Sequence, residues 1–113
     1  MKITYNGNEY DLHWSYRVHY LFEDKAGKTL DKLNGSHDAN ILFYCVFLAT
    51  MQYNHVDCDL TEAEFSNWVD DNGNDKLFLD FNNWFYKKMT QQNELSPKKG
   101  SKPKKGEEPD PNS

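Results

Sequence analysis

The alternation of apolar and polar residues at the N-terminus predicts a short β-hairpin. Side chains alternate through the first dozen residues around the dipeptide Asn6-Gly7. This dipeptide fits the positive φ angles of a tight hairpin turn, so we expect strands over residues 2–5 and 9–12. Two strands alone are marginally stable, and the hairpin should therefore lie on helices or pair with another strand edge.

Later segments repeat apolar residues at the three- and four-residue spacing of helices. The first helix should cover residues 16–26, with Ser15 as its N-cap and Gly27 after its last turn. The second should start at Ser36 or Asp38 and is apolar on nearly every face, which predicts a central position. A buried strand is the alternative for this segment, but its length favours a helix.

Two further helices complete the predicted fold. Thr61 and Glu64 match a capping box, in which the side chain of each residue accepts a hydrogen bond from the backbone N–H of the other at the start of a helix. That third helix should end near Asn72-Gly73, and a fourth, with Asp75 as its N-cap, should run to about Asn93. The fold class is therefore mainly α, a small α+β fold with an N-terminal β-hairpin and about four packed helices.

The composition divides the chain into two parts. Residues 1–96 contain the aromatic side chains and form the predicted compact domain, whereas residues 97–113 contain no apolar side chain larger than proline. Such a Lys/Pro-rich segment cannot bury enough surface to offset its ordering entropy, so a disordered tail is expected. The tail has a net charge of +2, which leaves −7 on the domain within a total of −5.

The charge and hydropathy also limit the partners and the location. An acidic domain with Arg17 as its only arginine argues against nucleic-acid binding, which requires cationic side chains. The N-terminus lacks the apolar stretch of a signal peptide, and no segment approaches membrane-spanning length. We therefore expect a soluble cytoplasmic protein with no membrane partner. Cys45 lies in an apolar run and should be a small buried hydrophobe.

Candidate chemical sites are weak. His55 and Cys58 have ligand-like spacing, but no second pair follows, and a structural zinc site needs four converging ligands. Neither of the acidic loops, 57–64 and 70–74, has both the glycine and the glutamate that an EF-hand requires at fixed positions. No nucleophile motif or phosphate-binding glycine loop is present. The sequence predicts no catalytic residue, no metal and no cofactor, and hence a non-enzymatic protein.

Aromatic residues are the best candidates for partner contact. The apolar stripe of the fourth helix should mainly pack in the core, but it is wider than one small neighbour would cover, so part of it should be exposed. Tryptophan and tyrosine often anchor protein interfaces. The candidate partner-binding residues are Trp84, Phe85, Tyr86, Phe78 and Tyr53, with Trp14 and Tyr16 as a second patch.

Several motifs resemble those of the small tail assembly chaperones of long-tailed bacteriophages and prophages. The likeness starts with ITYNGNEYDLHWSYRVHYLFEDKAGKTL, a hairpin followed by a helix that ends in Phe-Glu-x-x-x-Gly-Lys-Thr. It continues with Leu-Thr-x-x-Glu-Phe at 60–65, FLDFNNWFYKKM at 78–89 and NELSPKK at 93–99. Together these motifs cover most of residues 1–99.

The resemblance implies a helical protein that binds the long tape measure protein, or another phage tail component, during tail morphogenesis. Its location would be the cytoplasm of the bacterial host. Some family members are made in two lengths by a programmed frameshift. The alternative function is that of a small acidic adaptor or inhibitor that acts through protein–protein interaction. The sequence does not decide whether the chain forms a homo-oligomer.

Overall fold

The computed structural model describes the backbone of residues 1–95 and the side chains of residues 1–90. Within that part of the chain, a β-hairpin precedes four α-helices, which confirms the predicted fold class. A 3₁₀ turn at Leu30–Lys32 separates the first two helices. The elements are β1 (Lys2–Tyr5), β2 (Asn8–Asp11), α1 (Arg17–Ala26), α2 (Gly35–Tyr53), α3 (Glu62–Asp71) and α4 (Asn74–Leu95).

The hairpin has the predicted turn and lies on the helical core. Asn6 and Gly7 adopt φ angles of 51° and 80°, and the antiparallel strands pair Tyr5 with Asn8. Both apolar ends of the hairpin, Ile3 and Leu12, are buried. The hairpin is therefore stabilised by packing against helices, as its short strands require.

Helix α1 ends as predicted but begins differently. The backbone N–H of Gly27, at φ 75°, donates to the carbonyl oxygen of Glu23 and closes the helix. At the other end the N-cap is Tyr16, which makes no side-chain cap. The prediction that Ser15 caps α1 is wrong, because the N-cap position falls on Tyr16 and the Ser15 Oγ has no hydrogen-bond partner in the described part of the chain.

Helix α2 is the centre of the fold. It begins at Gly35, slightly earlier than predicted, and most of its residues from Ile41 to Met51 are buried. Near its start the buried Asp38 carboxylate accepts hydrogen bonds from the Lys28 Nζ at 2.8 Å and from the Asn34 N–H at 2.9 Å. These two donors, Lys28 first, lower the pKa of Asp38. The ion pair thus ties the loop after α1 to the first turn of α2.

Aromatic rings join the remaining elements to α2. Phe43 stacks on Phe81 of α4 with ring centres 4.3 Å apart and meets Phe65 of α3 edge-on at 5.0 Å. Phe47 contacts Tyr5 of β1 at 5.1 Å and Trp68 of α3 at 5.4 Å. A few large rings therefore supply the apolar area that this short chain needs.

The starts of α3 and α4 are the positions of two predicted helix caps. The capping box of α3 is confirmed, since Glu64 N–H donates to Thr61 Oγ1 at 3.1 Å and Thr61 N–H donates to Glu64 Oε1 at 2.8 Å. Helix α4 begins at Asn74, and the prediction that Asp75 caps it is wrong, because Asp75 already lies in the first turn.

The chain divides into two compact units, Met1–Asn82 and a second that begins at Asn83. A domain boundary at residue 96 stays a prediction, and the predicted disordered tail at 97–113 lies outside the described residues.

Candidate functional site

The largest exposed aromatic group in the first unit forms where β2 leads into α1 and where α2 ends. We call it the aromatic patch and define it by Trp14, Tyr16, Tyr20 and Tyr53, with His13, Arg17 and His19 beside them. Two hydrogen bonds hold these segments together. The N–H of His13 donates to Thr50 Oγ1 at 3.0 Å, and Arg17 Nη1 donates to Gln52 Oε1 at 2.5 Å.

Ring contacts within the aromatic patch fix its side chains without covering them. His13 stacks on Tyr53 with ring centres 3.8 Å apart, and Tyr16 meets Tyr20 edge-on at 5.8 Å. Even so, Tyr16 is 81% exposed, Tyr53 60% and Tyr20 52%. Rings that are held in place but open to solvent can bind a partner with little further loss of side-chain entropy.

Trp14 and Arg17 lie at the less exposed part of the aromatic patch. Trp14 is half-buried and meets His19 edge-on, with ring centres 5.8 Å apart. Arg17 is also half-buried, and Gln52 directs its guanidinium toward the end of α2. The aromatic patch therefore combines apolar ring faces, tyrosine hydroxyls and one fixed cation.

Three of the residues that the sequence predicts for partner contact lie at two elements that pack against each other: Trp14 and Tyr16 just before α1, and Tyr53 at the end of α2. It adds Tyr20, which the sequence analysis missed. The missed signal is the four-residue spacing of Tyr16 and Tyr20, which places both rings on one side of a helix. No local pattern of residues indicates that the end of α2 lies beside the start of α1.

Phe78 lies at a different place in the same unit. It is half-buried and lines a surface cavity of about 200 Å³ between α2, α3 and the start of α4, together with Ser36, Asn40, Ser66, Val69, Asp70, Asn74 and Asp75. Asn40 Nδ2 donates to Ser66 Oγ at 3.0 Å inside this region. The cavity is smaller than the ~300–1,000 Å³ typical of small-molecule sites.

The other three candidate residues belong to the second unit. Tyr86 is 73% exposed, whereas Trp84 and Phe85 are half-buried. Within that unit the Nζ of Lys88 lies 5.7 Å from the centre of the Trp84 ring, at cation–π distance. The exposure of Tyr86 fits its predicted role in partner contact, which stays a prediction for all three.

The cysteines lie in two different settings. Both are free thiols; Cys45 is buried, and burial raises the pKa of its thiol to about 12. At neutral pH Cys45 is thus protonated and is no nucleophile. Cys58 is half-buried, with its Sγ 3.9 Å from the Tyr5 hydroxyl.

Among the described side chains, those of residues 1–90, no three from His, Cys, Asp or Glu converge in a way that would hold a metal ion. In the described part of the chain, no helix combines the length and apolar character needed to cross a bilayer. Comparison with family models, curated proteins and solved structures found no match to this chain.

Proposed function

We propose that this protein is a non-enzymatic binding protein that holds a partner polypeptide on its aromatic patch. The observation that supports this most is the exposure of Tyr16, Tyr20 and Tyr53, each more than half accessible, beside a well-sealed core. Tyrosine offers a large ring at low entropic cost and a hydroxyl that keeps the free surface wettable, which suits a reversible interface.

The specific role that we propose is that of a phage tail assembly chaperone. The resemblance of residues 1–99 to that family supports this role, and the partner would be the tape measure protein in the cytoplasm of the bacterial host. Such a partner is long and helical, and it exposes apolar side chains until tail tube subunits cover them. A small soluble protein with an open aromatic surface could cover those side chains until then.

Co-expression tests this proposal. The chain is produced together with the tape measure protein encoded in the same phage or prophage genome, and the soluble fraction of the tape measure protein is measured. We expect the intact chain to raise that fraction and the double substitution Tyr16→Ser/Tyr53→Ser to remove most of the gain. Leu79→Ser is the matched control, because Leu79 is an exposed apolar residue, 59% accessible, outside the aromatic patch.

Two results would contradict the proposal. One is an unchanged soluble fraction with the intact chain, provided that circular dichroism shows it to be folded. The other is an equal loss with Leu79→Ser and with the double substitution. The nucleotide sequence gives an independent check, since a tape measure gene should lie directly downstream of this one.

A second candidate function, an acidic adaptor or inhibitor, is favoured by the charge around α3. Residues 57–75 contain seven acidic side chains and no lysine or arginine. A basic partner bound there would be released steeply by salt, since surface charges are screened over about 8 Å at physiological ionic strength. Binding through aromatic rings should persist in 0.5 M salt, which separates the two functions.

A further inference from the structure

We propose that the aromatic patch receives an amphipathic helix that carries an Asp or Glu side chain beside its apolar anchors, and that Arg17 binds this carboxylate. The inference rests on the proposed function and specifies the chemistry of the partner. It concerns the charge that the partner helix must present, which the resemblance to tail assembly chaperones does not address.

The two segments that build the aromatic patch carry the positive charge of Arg17 and no negative charge, unlike the chain as a whole. These segments, residues 12–22 and 47–56, contain no Asp or Glu, in a chain of net charge −5. They hold the only arginine and three of the four histidines. Glu23 and Asp24 follow three and four residues after Tyr20 on α1. The cationic part of the aromatic patch is therefore the end near Arg17 and Gln52, where an acidic segment would be attracted.

Arg17 differs from the three lysines that form ion pairs in the described part of the chain. Lys2, Lys28 and Lys76 each form an ion pair with a carboxylate, at 3.0, 2.8 and 2.9 Å respectively. Within the described residues, Arg17 forms no ion pair, and its hydrogen bond goes to the neutral amide oxygen of Gln52.

A guanidinium has five N–H donors in a rigid fork that matches a carboxylate. Gln52 thus fixes the direction of the Arg17 guanidinium and leaves its charge uncompensated.

The start of α1 adds to this preference for an anion. Arg17 is the first residue of the helix, the first turn has no acidic residue, and the N-cap makes no side-chain hydrogen bond. A cation at the N-terminal end of a helix is unfavourable for the helix dipole, whereas an incoming carboxylate would interact favourably with the dipole and with the Arg17 guanidinium. The nearest carboxylate later in α1 is Glu23, six residues or roughly 9 Å along the helix axis.

The arrangement of the rings favours a helix as the occupant. Tyr16 and Tyr20 are four residues apart on α1, and Tyr53 lies at the end of α2, so the anchors belong to two packed helices. A third helix can place side chains between such anchors at the i, i+3 and i+4 spacing. Arg17, between Tyr16 and Tyr20 in the sequence, would meet a carboxylate on the flank of that helix.

Three synthetic helical peptides test the inference. They share one apolar stripe and differ only in the flanking residues, which are Glu, Gln or Lys. Binding to the full chain is measured by fluorescence anisotropy in 50 mM salt. We expect the Glu peptide to bind at least about tenfold more tightly than the Lys peptide, a typical effect of one well-placed charge pair. Arg17→Glu should reverse this order.

Lys32→Glu is the matched control, since it makes the same charge change on an exposed residue outside the aromatic patch. It should leave the order of the three peptides unchanged. Arg17→Lys should retain part of the preference, because a lysine keeps the charge but loses the fork geometry.

Several outcomes would overturn the inference. These are no binding of the Glu peptide, equal binding of all three peptides, or an equal effect of Lys32→Glu and Arg17→Glu. Equal binding that Tyr16→Ser/Tyr53→Ser abolishes would contradict the role of Arg17 and leave the proposed function intact. Sedimentation measurements on the free chain provide a further test. A dimer that Arg17→Glu dissociates would identify a second copy of this chain as the occupant, and so would overturn the inference as well.

Discussion

Ser15 and Thr61 both look like helix N-caps in the sequence, but substitution by alanine should change the free energy of unfolding in opposite directions at the two positions. Thr61 Oγ1 accepts the N–H of Glu64 at 3.1 Å, and removing such a cap costs about 1 kcal/mol. Ser15 Oγ is buried and has no hydrogen-bond partner in the described part of the chain. A buried hydroxyl without a partner destabilises a fold by ~1–3 kcal/mol, so Ser15→Ala should be neutral or stabilising.

Urea unfolding followed by circular dichroism measures both effects. Thr61→Ala should lower the free energy of unfolding by about 1 kcal/mol, equivalent to ~4–8 °C in Tm for a domain of this size. Ser15→Ala should change it by between zero and about +1 kcal/mol, with the same slope against urea as the intact chain. If Ser15→Ala costs as much as Thr61→Ala, the serine does cap α1 and the account of that helix start is wrong.

Three further predictions concern the core and the titratable groups. Phe81→Ala should destabilise the protein by ~3–5 kcal/mol, because the ring is fully buried against Phe43, whereas Leu79→Ala on the same helix should change stability by less than about 0.5 kcal/mol in the same urea assay. The pKa of Asp38 is lowered in the folded protein, so its contribution to stability is present above the unfolded-state pKa, near 3.9, and is lost as the pH falls through the lower folded-state pKa. Asp38→Asn should remove this part of the acid-induced loss of stability. A stability–pH profile between pH 5 and 2 that Asp38→Asn leaves unchanged would contradict this prediction. Mass spectrometry after treatment with iodoacetamide at pH 8 should show Cys45 unmodified in the folded protein and modified after unfolding in urea, and rapid modification of the folded protein would contradict its burial.

Local sequence signals predicted most of the fold because they act over a few residues. The Asn6-Gly7 turn, the Gly27 helix end and the Thr61–Glu64 capping box depend on backbone angles and hydrogen bonds within one turn. The continuous apolar run of α2 identified the central helix, since only burial on all sides suits such a segment.

The start of α1 was the exception. Ser15 and Tyr16 are both compatible with the cap position, and the preceding loop decides between them. Contacts of that loop with α2, such as the hydrogen bond from His13 N–H to Thr50 Oγ1, are not visible in a local pattern.

The candidate site was only partly predictable for the same reason. Aromatic content identified Trp14, Tyr16 and Tyr53 one by one. Their meeting depends on contacts between residues about 35 apart in the chain, such as Arg17 with Gln52. The role proposed for Arg17 needed the structure, because an unpaired cation can be recognised only once the positions of all nearby carboxylates are known.

Hydrogen exchange of the purified complex with the tape measure protein tests the central claim, partner binding on the aromatic patch, most directly. We predict slower exchange on binding at backbone amides of residues 13–20 and 50–56, with little change in α3. Protection confined to residues 57–75, or no protection in the first of those segments, would contradict the account.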